Sequence, residues 1–130
     1  MTVLNPEMRK RYLADSITTA SPAKLLMMLY DRLVLDLARG EQALRDGNRP
    51  EANAQLVHAQ DIVTELHLSL NMEAWDGAAG LGQLYAFVVT ELVNANVRGE
   101  VVRVTACRAL IEPLRDAWRE ATLASATVGG

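Results

Sequence analysis

The side chains best suited to chemistry in this sequence are two histidines, one cysteine and a scatter of acidic residues. His58 and His67 stand nine residues apart. On a helix turning about 100° per residue that spacing sets them on opposite sides of the axis, so they cannot share a metal. A di-iron bundle would draw Glu-x-x-His pairs from facing helices, whereas Glu65 precedes His67 by only two positions. A phosphotransfer bundle works through a solvent-facing His, and His58 invites that comparison. It is followed, however, by Ala59-Gln60-Asp61 and not by the basic and small residues that such a nucleophile keeps beside it. Cys107 has no His in its sequence neighbourhood and lies on an apolar flank, where a thiol serves as a small core side chain. The sequence holds no Gly-rich phosphate loop and no metal-spaced Cys pair. Asp and Glu fall mainly on outward faces, where hydration accounts for them. The expectation is a protein that is not an enzyme and needs neither cofactor nor metal.

The elements that would carry these residues are helical. Half of the 130 residues are apolar and only 5% are aromatic. A Leu-, Ala- and Val-rich chain of this length can bury one core, and Ala and Leu are the strongest helix formers. Thirteen Lys and Arg against sixteen Asp and Glu leave a net charge of -3, which disfavours nucleic acid as a partner. The one basic run, Arg9-Lys10-Arg11, reads as a solvated cluster. A lone cysteine, no apolar stretch of the roughly 20 residues that span a bilayer, and no leader-like segment after Met1 predict a protein without membrane insertion that is cytoplasmic or is exported by a route the sequence does not show.

Turn and cap residues divide the chain into a flexible N-terminal arm (1–20), a bundle domain (21–122) and a flexible C-terminal tail (123–130). Ser21-Pro22 is a helix start, with the hydroxyl as cap and Pro where the first amide would be wasted. The first helix is predicted over 22–46, ending at Gly47-Asn48. Pro50-Glu51 opens a second that reaches about Leu70, with Ala52, Leu56, Ala59, Val63, Leu66 and Leu70 inward at alternating spacings of four and three. After a connection capped by Asp76, a third turns Leu81, Tyr85, Val88, Leu92 and Ala95 inward and ends near Gly99. A fourth reaches about Ala121, with Leu110, Leu114, Ala117 and Ala121 inward and a kink at Pro113. Short connections between the first and second and between the third and fourth force antiparallel neighbours, which makes the fold an all-α, antiparallel up-down four-helix bundle. Its predicted core is Leu26, Leu33, Leu37, Leu56, Val63, Leu66, Val88, Leu92, Leu110 and Leu114.

Apolar residues remain after the core is filled. Met28 and Leu35, one heptad apart, fall nearly opposite the inward face of the first helix, and Leu25 widens the apolar arc. Val57 and Leu68 lie off the second seam, and Val89 and Val93 off the third. Several such residues at helical spacing make grooves that bind something. Tyr12 and Ile17, the chief large apolar residues just before Ser21, give the arm the means to cover such grooves. The predicted partner-binding set is therefore Tyr12, Ile17, Leu25, Met28, Leu35, Val57, Leu68, Val89 and Val93. A homodimer that buries these strips against a second copy is the structural alternative.

The run Tyr12-x4-Ile17-Thr18-Thr19-Ala20-Ser21-Pro22, followed by Lys24-Leu25-Leu26-Met27-Met28-Leu29-Tyr30-Asp31, resembles the opening of the FliS family of flagellin export chaperones. Ala59-Gln60-Asp61-Ile62-Val63-Thr64-Glu65-Leu66, then Leu84-Tyr85 with Leu92 and Ala95-Asn96, and finally Leu114-Arg115-Asp116-Ala117-Trp118 resemble its later helices. The likeness covers about residues 12 to 121. Arg32, where the family usually has Gly, Trp75 in the linker, and Pro113 depart from its pattern. The resemblance implies a bundle that binds the disordered C-terminal segment of flagellin in the cytoplasm. It also implies that the bundle blocks polymerisation before export and presents the cargo to a component of the flagellar type III export gate.

Overall fold

Ser21 opens the first helix as its residue type dictates: in extended backbone, its Oγ accepts the amide of Lys24 at 3.1 Å, and Pro22 follows it. Such a cap is worth about 1 kcal/mol. The computed structural model describes residues 21–73 and 75–129, with 125–129 described by backbone alone. Within them lie α1 (Pro22–Arg45), α2 (Arg49–Leu68), α3 (Ala78–Arg98) and α4 (Val101–Gly129). Asn48 caps α2 by accepting from the Glu51 amide. At the far end of the bundle, the Arg49 guanidinium reaches across to the carbonyls of Asn96 and Val97, satisfying the last turn of α3.

Each helix packs on its two neighbours around the ring α1, α2, α3, α4. Cross-helix pairs fix the directions: Asp36 meets His58, Asn53 meets Asn96, Glu91 meets Arg103, and Asp31 meets Arg119 while Glu41 meets Arg108. Rising numbers on one helix face falling numbers on the next, so neighbours are antiparallel and the four-helix bundle expected from the sequence is the fold. Gly40 permits the closest approach of α1 to α2, since a Cβ there would stand 2.7 Å from Leu56 Cδ2.

The core repeats the predicted stripes on α2 and α3 and most of that on α1. Tyr30, Leu33, Leu37, Leu56, Val63, Leu66, Tyr85, Val88 and Leu92 are buried, and Leu26 packs partly buried against them. On α4 the phase differs from the prediction. Val104, Cys107 and Ile111 are the buried residues, with Leu114 and Trp118 packed partly buried behind them. Leu110, Ala117 and Ala121 face outward. The 104–107–111–114–118 series keeps the three-four spacing of a bundle seam and places Trp118, the largest side chain on the helix, inside. A stripe read from Leu110 is rotated by about 100°, one residue's turn. The backbone stays helical through Pro113 and runs to Gly129, past the end near Ala121 expected from its stripe. Asp76 does not cap α3; Gly77 holds that position without a side-chain hydrogen bond. The Trp75 indole lies over Gly77, where a Cβ would stand 1.7 Å from its nearest atom, so a larger residue there would have to turn the half-exposed indole away.

Candidate binding surface

Because helical register sends every fourth or third residue to the same face, the apolar residues left off the seams collect into lines. Met28 and Leu35 do so on the outer face of α1, at 52% and 39% exposure. Val57 and Leu68 lie on α2, and Val89 and Val93 on α3; Val57, Leu68 and Val93 are exposed, whereas Val89 is partly buried against the core. Leu68 and Val89 meet with Thr64, His67 and Ala86 along a groove of about 360 Å³ between α2 and α3. Leu25 lies apart, half-buried in a second hollow of about 250 Å³ with Pro22, Leu26, Leu29 and Ser69. The predicted set is thus divided among an outer α1 strip, the α2/α3 groove and this hollow. Tyr12 and Ile17 lie outside the described residues.

Near the start of α1 a cavity of about 160 Å³ opens between helices, lined by Leu66, Leu70, Leu81, Tyr85 and both tryptophans, Trp75 and Trp118. Beside it the hydroxyls of Tyr30 and Tyr85 stand 2.6 Å apart, one donating to the other. Burial pushes the Tyr30 hydroxyl above its usual pKa, against a smaller lowering effect of the hydrogen bond with Tyr85. Burial likewise raises Tyr85. The Trp118 Nε1 is buried with no hydrogen-bond partner among the described residues.

The chemically capable residues are engaged structurally. His58 donates from Nδ1 to Asp36, a fully buried carboxylate on α1 that also accepts from Arg32 Nε at 3.0 Å. His67 stands with its ring 6.0 Å from that of Tyr85. Burial pushes the Cys107 thiol up to about 12, with Glu91 adding to the shift, so at neutral pH it is a protonated core side chain and not a nucleophile. Among the described residues no group of three His, Cys, Asp or Glu is arranged to hold a metal, and no helix is long and apolar enough to cross a membrane. What the surface offers is apolar area in grooves.

Exposed large apolar residues beyond the predicted set are Met72, Trp75, Phe87, Val97, Val102, Leu110 and Leu123. Phe87, the one phenylalanine of the chain, is 51% exposed. Its position one residue before Val88, off the Leu81–Tyr85–Val88–Leu92 stripe, is the signal that would have found it.

The chain matches the family model described as flagellar protein FliS over residues 4–125. It belongs to that family. It is similar to the flagellar secretion chaperone FliS of Bacillus subtilis (strain 168), 29% identical over 121 residues that cover 93% of this chain and 89% of that protein. It is also similar to the FliS proteins of Escherichia coli (strain K12), 30% identical over 116 residues covering 88% of this chain and 85% of that protein, and of Vibrio cholerae, 32% identical over 111 residues covering 84% and 82%. Among solved structures, a bacterial flagellar chaperone superposes with a TM-score of 0.71 at 25% identity, covering 90% of this chain and 98% of that one. The four-helix arrangement is therefore that of a flagellar secretion chaperone family member.

Proposed function

We propose that the protein holds the disordered C-terminal segment of flagellin in the cytoplasm, keeps it from polymerising early, and hands it to the flagellar type III export gate. The observation that carries this reading is the surplus apolar surface at helical spacing in a member of a secretion chaperone family. Flagellin termini that pack as helices in a filament are unfolded before assembly, and their apolar faces need temporary cover. Helix-in-groove docking provides it, with anchors at i, i+3, i+4 and i+7. Ordering the segment costs part of the interaction energy, so the client can be held and then released. The activity is binding and not bond-making, which fits a chain whose His58 and His67 are structurally engaged and whose Cys107 is buried in the core.

The test is calorimetric titration with a peptide of the flagellin C-terminal segment, alongside a pull-down from the cytoplasm of a flagellated host. Heat release with a one-to-one endpoint and retained flagellin are expected. No heat and no flagellin would sink the reading. A doubled mass with no affinity for flagellin would favour the homodimer that buries its own strips.

A further inference from the structure

The sequence places no Lys or Arg between Arg49 and Arg98, while that interval holds six carboxylates: Glu51, Asp61, Glu65, Glu73, Asp76 and Glu91. Arg49 at the start of α2 and Arg98 at the end of α3 stand together at one end of the pair, and the stretch of α2/α3 between them carries carboxylates and no Lys or Arg. Glu91 is held by Arg103 and Glu51 accepts from Gln55. Asp61 and Glu65 are exposed, and no donor reaches their carboxylates among the described residues. They stand one turn apart on α2, just outside Thr64 and Leu68, so they form one lip of the apolar groove. The lip opposite, on α3, carries the uncharged Gln83 and Thr90, both exposed. By register the groove floor continues to Val57 and Val93, where the Asn53–Asn96 hydrogen bond bridges the helices beyond it. From Val57 to Leu68 it is about 16 Å long, about three helical turns.

We propose that the α2/α3 groove docks a client helix whose apolar stripe is edged on one side by Lys or Arg spaced one turn apart, lying over Asp61 and Glu65. This rests on the reading of the protein as a chaperone for an unfolded client, and it adds the charge pattern that the client helix must carry. Charge complementarity across such a lip steers encounter and fixes orientation. A second copy offering the same groove would bring like charges together. The chain's own first twenty residues are basic only at Arg9, Lys10 and Arg11. Three consecutive cations spread around a helix, so as a helix that segment would not supply two that match carboxylates one turn apart.

The experiment uses the full chain and two synthetic 18-residue helical peptides with the same leucine stripe, one edged by Lys at one-turn spacing and one by Glu. At low salt the Lys-edged peptide is expected to bind at least tenfold more tightly, shifting the backbone amides of Thr64, Leu68, Ala86 and Val89, with the preference shrinking in high salt. The double variant Asp61→Lys, Glu65→Lys should invert the preference. Equal affinities, or shifts confined to α1 and α4, overturn the inference. It also falls if neutralising Arg9, Lys10 and Arg11 to Gln moves those same groove amides in the free protein, because the occupant is then the chain itself. A protein that retains the flagellin tail but cannot tell the peptides apart loses this inference and keeps the chaperone reading. One that prefers the Lys-edged peptide but ignores flagellin keeps it and loses the client's name.

Discussion

Glu41 shows how a single residue ties two helices together. It is nearly buried on α1, and its carboxylate accepts from Arg45 on its own helix and from Arg108 on α4, each at 2.8 Å, while Arg108 also reaches Glu112. Burial alone would raise its pKa, but hydrogen bonds and charge from Arg45 and Arg108 outweigh that and leave it lowered. A carboxyl whose pKa is lower folded than unfolded stabilises the fold fully above the usual carboxylate range and loses that contribution as pH falls through the lowered value. Glu41→Gln is therefore expected to cost about 1.5 to 3 kcal/mol at neutral pH, the range for hydrogen bonds to a charged group. In urea melts across pH, the gap to wild type should hold near neutrality and narrow in acid; a gap that is constant down to low pH would contradict the assignment. Neither this residue nor Asp36 was legible beforehand. Carboxylates are read as outward by default, and only the partner's position across the bundle, which a one-dimensional pattern does not contain, reveals that the charge is matched.

At the scale of the element, α2 and α3 were legible because large apolar residues occupy one stripe and polar or small ones much of the rest. The first helix followed the same rule, with Tyr30, Leu33 and Leu37 inside. The fourth did not, and the reason is compositional: Val101, Val102, Val104, Ala106, Cys107, Ala109, Leu110 and Ile111 supply apolar side chains on nearly every side. Two stripes one residue out of register then look alike, and the choice is made by what α1 and α3 present to the helix. Ile111 fills the core completely, whereas Leu110 is 38% exposed. Ile111→Ala is expected to cost about 2 to 5 kcal/mol, the usual range for a buried large-to-small change, and Leu110→Ala well under half as much. Chemical denaturation of both variants decides between the two registers, and the reverse order would restore the stripe read from Leu110. Pro113 lies two residues beyond Ile111 inside the same helix, and its inward neighbours stay in phase on both sides.

At the scale of the whole molecule, the apolar residues of the helices are divided between one shared core and surfaces that the bundle leaves open, and the two sets should respond differently to a charge. Met28 and Leu35 stand on the outer face of α1 and are exposed, so a carboxylate at either position keeps its water in the free protein and the fold is little changed. Against an apolar client the same carboxylate must be desolvated without a partner, which is strongly unfavourable. Met28→Glu with Leu35→Glu is therefore expected to weaken binding of the flagellin C-terminal peptide at least tenfold, about 1.4 kcal/mol. Linkage turns that loss into a thermal signature. Peptide at one hundred times the wild-type Kd stabilises the folded chain by about 2.7 kcal/mol, whereas a variant bound tenfold more weakly gains only about half of that. For a domain of this size wild type should melt at least about 5 °C higher with peptide than without, and the double variant about half as much higher, from the same starting midpoint. A variant that melts lower without peptide would place these residues in the core. One that gains the full shift would remove the α1 face from the client site and leave the α2/α3 groove to hold the client alone.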